Sequence, residues 1–154
     1  MSRPIHFAIG FGHKPSHDNL HRSLKTSAAG LNLNKFMLRL TAENISHADT
    51  LASTPGGDAY RAKLPIIGHS IDPETGAMIV NIKKVIDDPE KQSTEHSPNH
   101  PGADKNGMVK KTNVNELVEK LHLGKYQKGA NANLQAYQVA LKMRRREIEE
   151  LLKG

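Results

Sequence analysis

Residues 24–50, LKTSAAGLNLNKFMLRLTAENISHADT, decide how the fold is read. Leu24, Leu31, Leu38 and Ile45 recur every seven residues, and Ala28, Lys35 and Ala42 occupy the intervening position of the same repeat. Such a repeat keeps one narrow stripe of a helix against a partner, and alanine at the second position lets two backbones approach closely. A long helix gains little from propensity alone, so this one needs something to pack on. A matching stripe stands at the other end of the chain, where Leu134, Leu141 and Ile148 repeat at seven, flanked by Tyr137 and Leu151. The two terminal helices are therefore expected to pair through these residues, with everything else held between them.

Moving outward, Asp18 or Asn19 can cap the first helix, which is expected to run to about Ile45. Gly30 inside it costs about 1 kcal/mol against alanine and marks close packing or a kink. Residues 1–19 carry Pro4, Gly10, Gly12 and Pro15 and read as an irregular lead-in. Its His6, His13 and His17 sit on no expected element that would fix ligand geometry, so a solvated tail is favoured over a metal site. At the far end, Asn113 or Asn115 can cap the second helix. Gly124 and Gly129 interrupt its pattern, and a phase shift with a weak middle is expected there.

The middle is expected to be β-rich and loop-rich. Pro55-Gly56-Gly57 is turn chemistry, and Tyr60–Leu64 alternates like a strand that stops or bends at Pro65. The turn at Asp72–Gly76 leads into residues 77–86, the strand candidate with the most β-branched content. Residues 87–113 are almost wholly polar, with Pro89, Pro98, Pro101, Gly102 and Gly107, and read as a long loop. The expected architecture is thus α+β, divided as lead-in 1–19, helix 20–50, middle segment 51–112 and helix 113–154.

Composition limits what such a chain can do. Its 154 residues are 36% hydrophobic and 4% aromatic with no Trp, so the core must be small. Without cysteine there is no disulfide, thiol catalysis or thiolate metal site. The first twelve residues hold too short an apolar run for a secretory signal peptide, and no stretch approaches the length that spans a bilayer. A formal net charge of +6 permits nucleic acid as a partner, which makes a basic helical nucleic-acid-binding protein the alternative reading. The basic residues are dispersed, however, apart from Lys83-Lys84, Lys110-Lys111 and Arg144-Arg145-Arg146.

Patterns that carry chemistry are missing. No P-loop, GxSxG or HExxH arrangement occurs, and no catalytic residue, cofactor site or metal site is expected. His96 and His100 have the spacing of a helical ligand pair, but Pro98 between them breaks that geometry. Asp104–Gly107 lacks the acidic series of a calcium loop. Glu43, Asn44, His47 and Asp49 cluster at the end of the first helix, where hydrogen bonding at a helix terminus uses the same residue types.

With these residues in view, the chain resembles the flagellar basal-body rod protein family. Ser27-Ala28-Ala29-Gly30-Leu31, Leu38 and Ala42–Thr50 are similar to the N-terminal motif of rod and hook proteins, with the same spacing from Gly30 to Asn44. Three further stretches, Thr54–Lys63, Asn99–Val109 and Thr112–Asn115, resemble the proximal rod branch. The resemblance covers about residues 24–152 and implies a non-enzymatic structural subunit of the shaft that transmits motor torque across the periplasm. It implies partners among rod subunits of the FlgB, FlgF and FlgG type and a FliE-type basal-body protein, and export through the flagellar type III apparatus without a cleaved signal. It implies neither nucleic acid nor membrane insertion. The expected assembly interface is Leu24, Ala28, Leu31, Leu38, Ala42, Asn44, Ile45, Leu134, Tyr137, Leu141, Ile148 and Leu151. An intersubunit loop is expected at His100, Pro101, Ala103 and Gly107.

Overall fold

The computed structural model describes residues 16–153, with side chains from Asn19 onward. The expected lead-in through residue 15, with His6 and His13, lies outside the described residues, as does the side chain of His17. Helix α1 spans Ser16–Ser46 and helix α2 spans Glu116–Leu151. Between them come strands β1 (Lys63–Ile71), β2 (Met78–Asp87), β3 (Thr94–His96) and β4 (Met108–Lys110), forming two separate antiparallel hairpins. The architecture is α+β.

Helix α1 begins ahead of the expected cap, with Asp18 and Asn19 inside it. Helix α2 is capped by Asn115, whose Oδ1 accepts from the Val118 N–H at 3.2 Å, and Glu116 and Glu119 place acidic charge in its first turn. That charge complements the positive end of the helix dipole. Helix α2 is a single long helix that runs unbroken through Gly124 and Gly129.

The helices are antiparallel, because Gly30 meets Asn133, Asn34 meets Gly129, and Asn44 meets Glu119. The seam between them is not the expected one. The buried face of α1 carries Ser27, Met37, Leu40, Thr41 and Asn44, and that of α2 carries Glu119 and Ala140. Leu24, Leu31, Leu38 and Ile45 are only half-buried, Ala42 is exposed, and Leu134, Leu141, Ile148 and Leu151 are exposed. Each leucine repeat lies one residue C-terminal to the seam, a turn of about 100° about its own axis. Gly30 and Gly129 allow a close approach to the opposite helix at one level, while Met37 and Leu40 are the bulky members of the buried face.

Hairpin β1–β2 lies along α1. The strand expected to stop or bend at Pro65 runs on through it to Ile71, with Pro65 opposite Val85 and a register shift between Ile66 and Ile67. A two-stranded hairpin has a free edge on each strand, where a missing N–H goes unnoticed. At its tip Asp72 accepts from the Thr75 N–H at 3.0 Å and from the Thr75 hydroxyl at 2.7 Å. These bonds, the hydroxyl first, hold its carboxyl below the usual range. Gly76, at φ 65°, takes the left-handed conformation that closes the turn. Lys25 reaches Asp72 and Glu74 at 3.5 and 3.3 Å, and Arg22 donates to the Thr75 carbonyl, which ties the tip to α1.

The polar stretch 87–113, expected as a loop, holds the β3–β4 hairpin and supplies the centre of the core. Val109 is wholly buried, packed with Ala52 and Ala59 and flanked by Leu51 and Ala103. Gly102 lies so close to Ala52 that a Cβ there would overlap the Ala52 carbonyl.

Candidate assembly surface

With so little apolar surface to bury, the chain is stitched together by side-chain amides. Asn44 is 2% exposed and uses its amide fully. Its Nδ2 donates to the Lys63 carbonyl at 3.1 Å and to Glu119 Oε1 at 3.3 Å, while Oδ1 accepts from the Lys63 N–H at 2.8 Å and the Tyr60 hydroxyl at 2.9 Å. One side chain thereby joins α1, the start of β1 and α2. Burial, followed by the nearby Glu43, Asp87 and Glu119 charges, pushes the Tyr60 phenol up to about 12. His47 stacks on Tyr60 with centroids 4.1 Å apart. Gln92 pairs with the backbone of Ala59 through both amide atoms, and Asn113 accepts from Ala62 N–H while donating to the Asp88 and Glu90 carbonyls. Asn113 therefore staples the middle segment and leaves the helix cap to Asn115.

Of the residues expected at an interface, the structure gives Asn44 to the interior. The two leucine repeats lie on one side of the molecule. A turn of about 100° beyond the seam, taken in opposite senses by antiparallel helices, brings both leucine repeats to the same side of the pair. Leu24, Leu31, Leu38 and Ile45 stand on one helix and Leu134, Leu141 and Ile148 on the other. Tyr137 is half-buried beside the seam, Ala28 is half-buried and Ala42 exposed on the outer flank of α1, and Leu151 lies exposed near the end of α2. A second apolar surface is formed by the exposed Ile66, Ile67, Ile71 and Met78 of the first hairpin.

The loop residues divide. Pro101 is exposed, Ala103 packs on the core cluster, and Gly107, at φ 73°, is buried against Pro98 and His96. His100 Nδ1 accepts from the Gly102 N–H at 3.0 Å.

The residues that sequence reasoning missed are Asn34, Gly129, Asn133 and Glu119 in the seam, and Gln92 in the core. A signal for three of them was present: Gly30–Asn34 and Gly129–Asn133 are both Gly-x-Asn-x-Asn, one copy in each helix. Among the described residues no group of three His, Asp or Glu side chains is arranged to hold a metal, and no helix is long and apolar enough to cross a membrane.

No protein-family model matches the chain. A flagellar basal-body rod protein FlgC from Agrobacterium fabrum is 37% identical over 118 residues, spanning 77% of this chain and 85% of that protein. FlgC proteins of Salmonella typhimurium and Salmonella typhi are each 29% identical over 98 residues, spanning 64% of this chain and 72% of theirs. The matched lengths leave no room for a shared fragment alone, and the chain belongs to the FlgC family of flagellar basal-body rod proteins.

Proposed function

We propose that this structural rod subunit joins its neighbours through the apolar side of its helix pair, building by repetition the helical shaft that carries torque across the periplasm. The observation that carries the proposal is the placement of both leucine repeats on that side, with Leu134, Leu141 and Ile148 left exposed by the chain's own fold. Exposed apolar stripes of this length are unfavourable in a lone subunit and stabilising once covered. A contact between different faces of successive subunits generates a helical array when its rotation does not close into a ring. The neighbours are copies of this chain, rod subunits of the FlgB, FlgF and FlgG type and a FliE-type basal-body protein, and delivery is by the flagellar type III apparatus. The exposed hairpin face and Pro101 reach toward adjoining subunits and set their stagger.

The test compares Leu134→Asp and Leu141→Asp with the parent for secretion, rod assembly by electron microscopy, and swimming. Secreted variants that build no rods are expected. Parental swimming by both would overturn the proposed surface.

A further inference from the structure

Each helix carries two stripes that are able to serve as a seam: a leucine repeat, and a stripe one residue before it that holds Gly30, Met37 and Asn44 in α1 and Asn133 and Ala140 in α2. The structure uses the second, and the reason lies at one level of the pair. Asn34 donates to the Gly30 carbonyl at 2.8 Å, and Asn133 donates to the Gly129 carbonyl at 3.0 Å. Each asparagine also lies over the other helix's glycine: a Cβ at Gly30 would stand 2.7 Å from Asn133 Oδ1, and one at Gly129 would stand 2.6 Å from Asn34 Oδ1. The arrangement is reciprocal, with knob and hollow on both helices, and each amide enters the seam already bonded to its own backbone.

We propose that this Gly-Asn clasp selects which faces of the helices meet, withholding both leucine repeats from the intramolecular seam so that they remain available to a neighbouring subunit. The inference rests on the surface reading above and adds the device that exposes it. A side chain filling either hollow must first displace the asparagine amide that lies over it, and a bulky one drives the two axes apart at this level. The leucine faces, which tolerate a wider separation, then become the better intramolecular seam.

The chain contains no cysteine, so an introduced thiol reports alone. Ala140 is 4% exposed and Leu141 44%, neighbouring residues on the inner and outer faces of α2. Full-length A140C and L141C chains are labelled with a maleimide as dilute monomers, in the parent and in a G30L/G129L background that fills both hollows. The parent labels quickly at position 141 and slowly at 140. The filled clasp is expected to reverse this, raising the rate at 140 about tenfold while lowering that at 141. Adding N34G/N133G, which moves the hollows to the opposite helix, restores the parental pattern. Should G30L/G129L lower the helix content, G30M/G129M, with an unbranched side chain of similar bulk, carries the same comparison. Unchanged rates overturn the proposal, and so does faster labelling at both positions, which marks loosening without a change of face. Monomer labelling stands apart from rod assembly, so failure of the clasp is distinguishable from failure of the surface.

Discussion

Asn44 is the position at which a single substitution should cost most. Asn44→Ala removes the Asn44 bond from the Lys63 N–H and carbonyl, the Tyr60 hydroxyl and Glu119 Oε1. A buried group left unsatisfied costs about 1–3 kcal/mol, and since Lys63 and Tyr60 are half-buried and regain water, the sum comes to about 3–4 kcal/mol. That is a large part of the roughly 5–15 kcal/mol that holds a domain folded. Asn44→Asp isolates the electrostatics: it keeps both acceptances, loses both donations and sets a second carboxylate against Glu119. Like charges raise the pKa of the pair in the folded state, which then favours the protonated form, so the stability lost at neutral pH returns as pH falls through the carboxylate range. Tyr60→Phe removes one bond and should cost about 1 kcal/mol. Urea denaturation followed by far-ultraviolet circular dichroism measures all three. The reasoning fails if Asn44→Ala stays within about 1 kcal/mol of the parent, or if Asn44→Asp is no less stable than Asn44→Ala at neutral pH.

In the dilute chain Leu141→Asp should change stability by less than about 1 kcal/mol, whereas Ala140→Asp, which buries a carboxylate, should cost about 3 kcal/mol or more; equal losses would mean that the seam is misassigned. Val109→Ala should lower stability by about 2 kcal/mol by leaving a cavity, and Gly102→Ala by at least as much, because the new methyl meets the Ala52 backbone; thermal melts read both. Alkali should act through Tyr60: its folded value near 12 exceeds the ordinary 10.0, so its contribution is whole below about pH 10 and is lost as pH rises toward 12, which absorbance of the phenolate checks against the denaturation midpoint. Acid should act through Asp58, held low chiefly by its bond to Lys110, and Asp72: their contribution is present above pH 3.8 and is lost as pH falls below it, so Asp58→Asn should blunt the acid transition.

Local chemistry in the sequence determined much of this protein. Side-chain acceptors at Asn115 and Asp72 set a helix start and a turn, heptad spacing announced two long helices, and the motif from Ser27 to Thr50 carried the family. What spacing does not convey is what a stripe faces. Leu24, Leu31, Leu38 and Ile45 have the period of a seam whether the partner is the same chain or another. Only the tertiary structure showed Gly30, Asn34, Gly129 and Asn133 taking the intramolecular seam. The same holds for Val109, which reads as one apolar residue in a polar loop until the β3–β4 hairpin brings it against Ala52 and Ala59. Asn34, Asn133 and Gln92 look like surface residues because an isolated amide is costly to bury. Gln92 is buried, and Asn34 and Asn133 half-buried, because backbone groups and glycine hollows distant in the chain arrive in the fold to receive them.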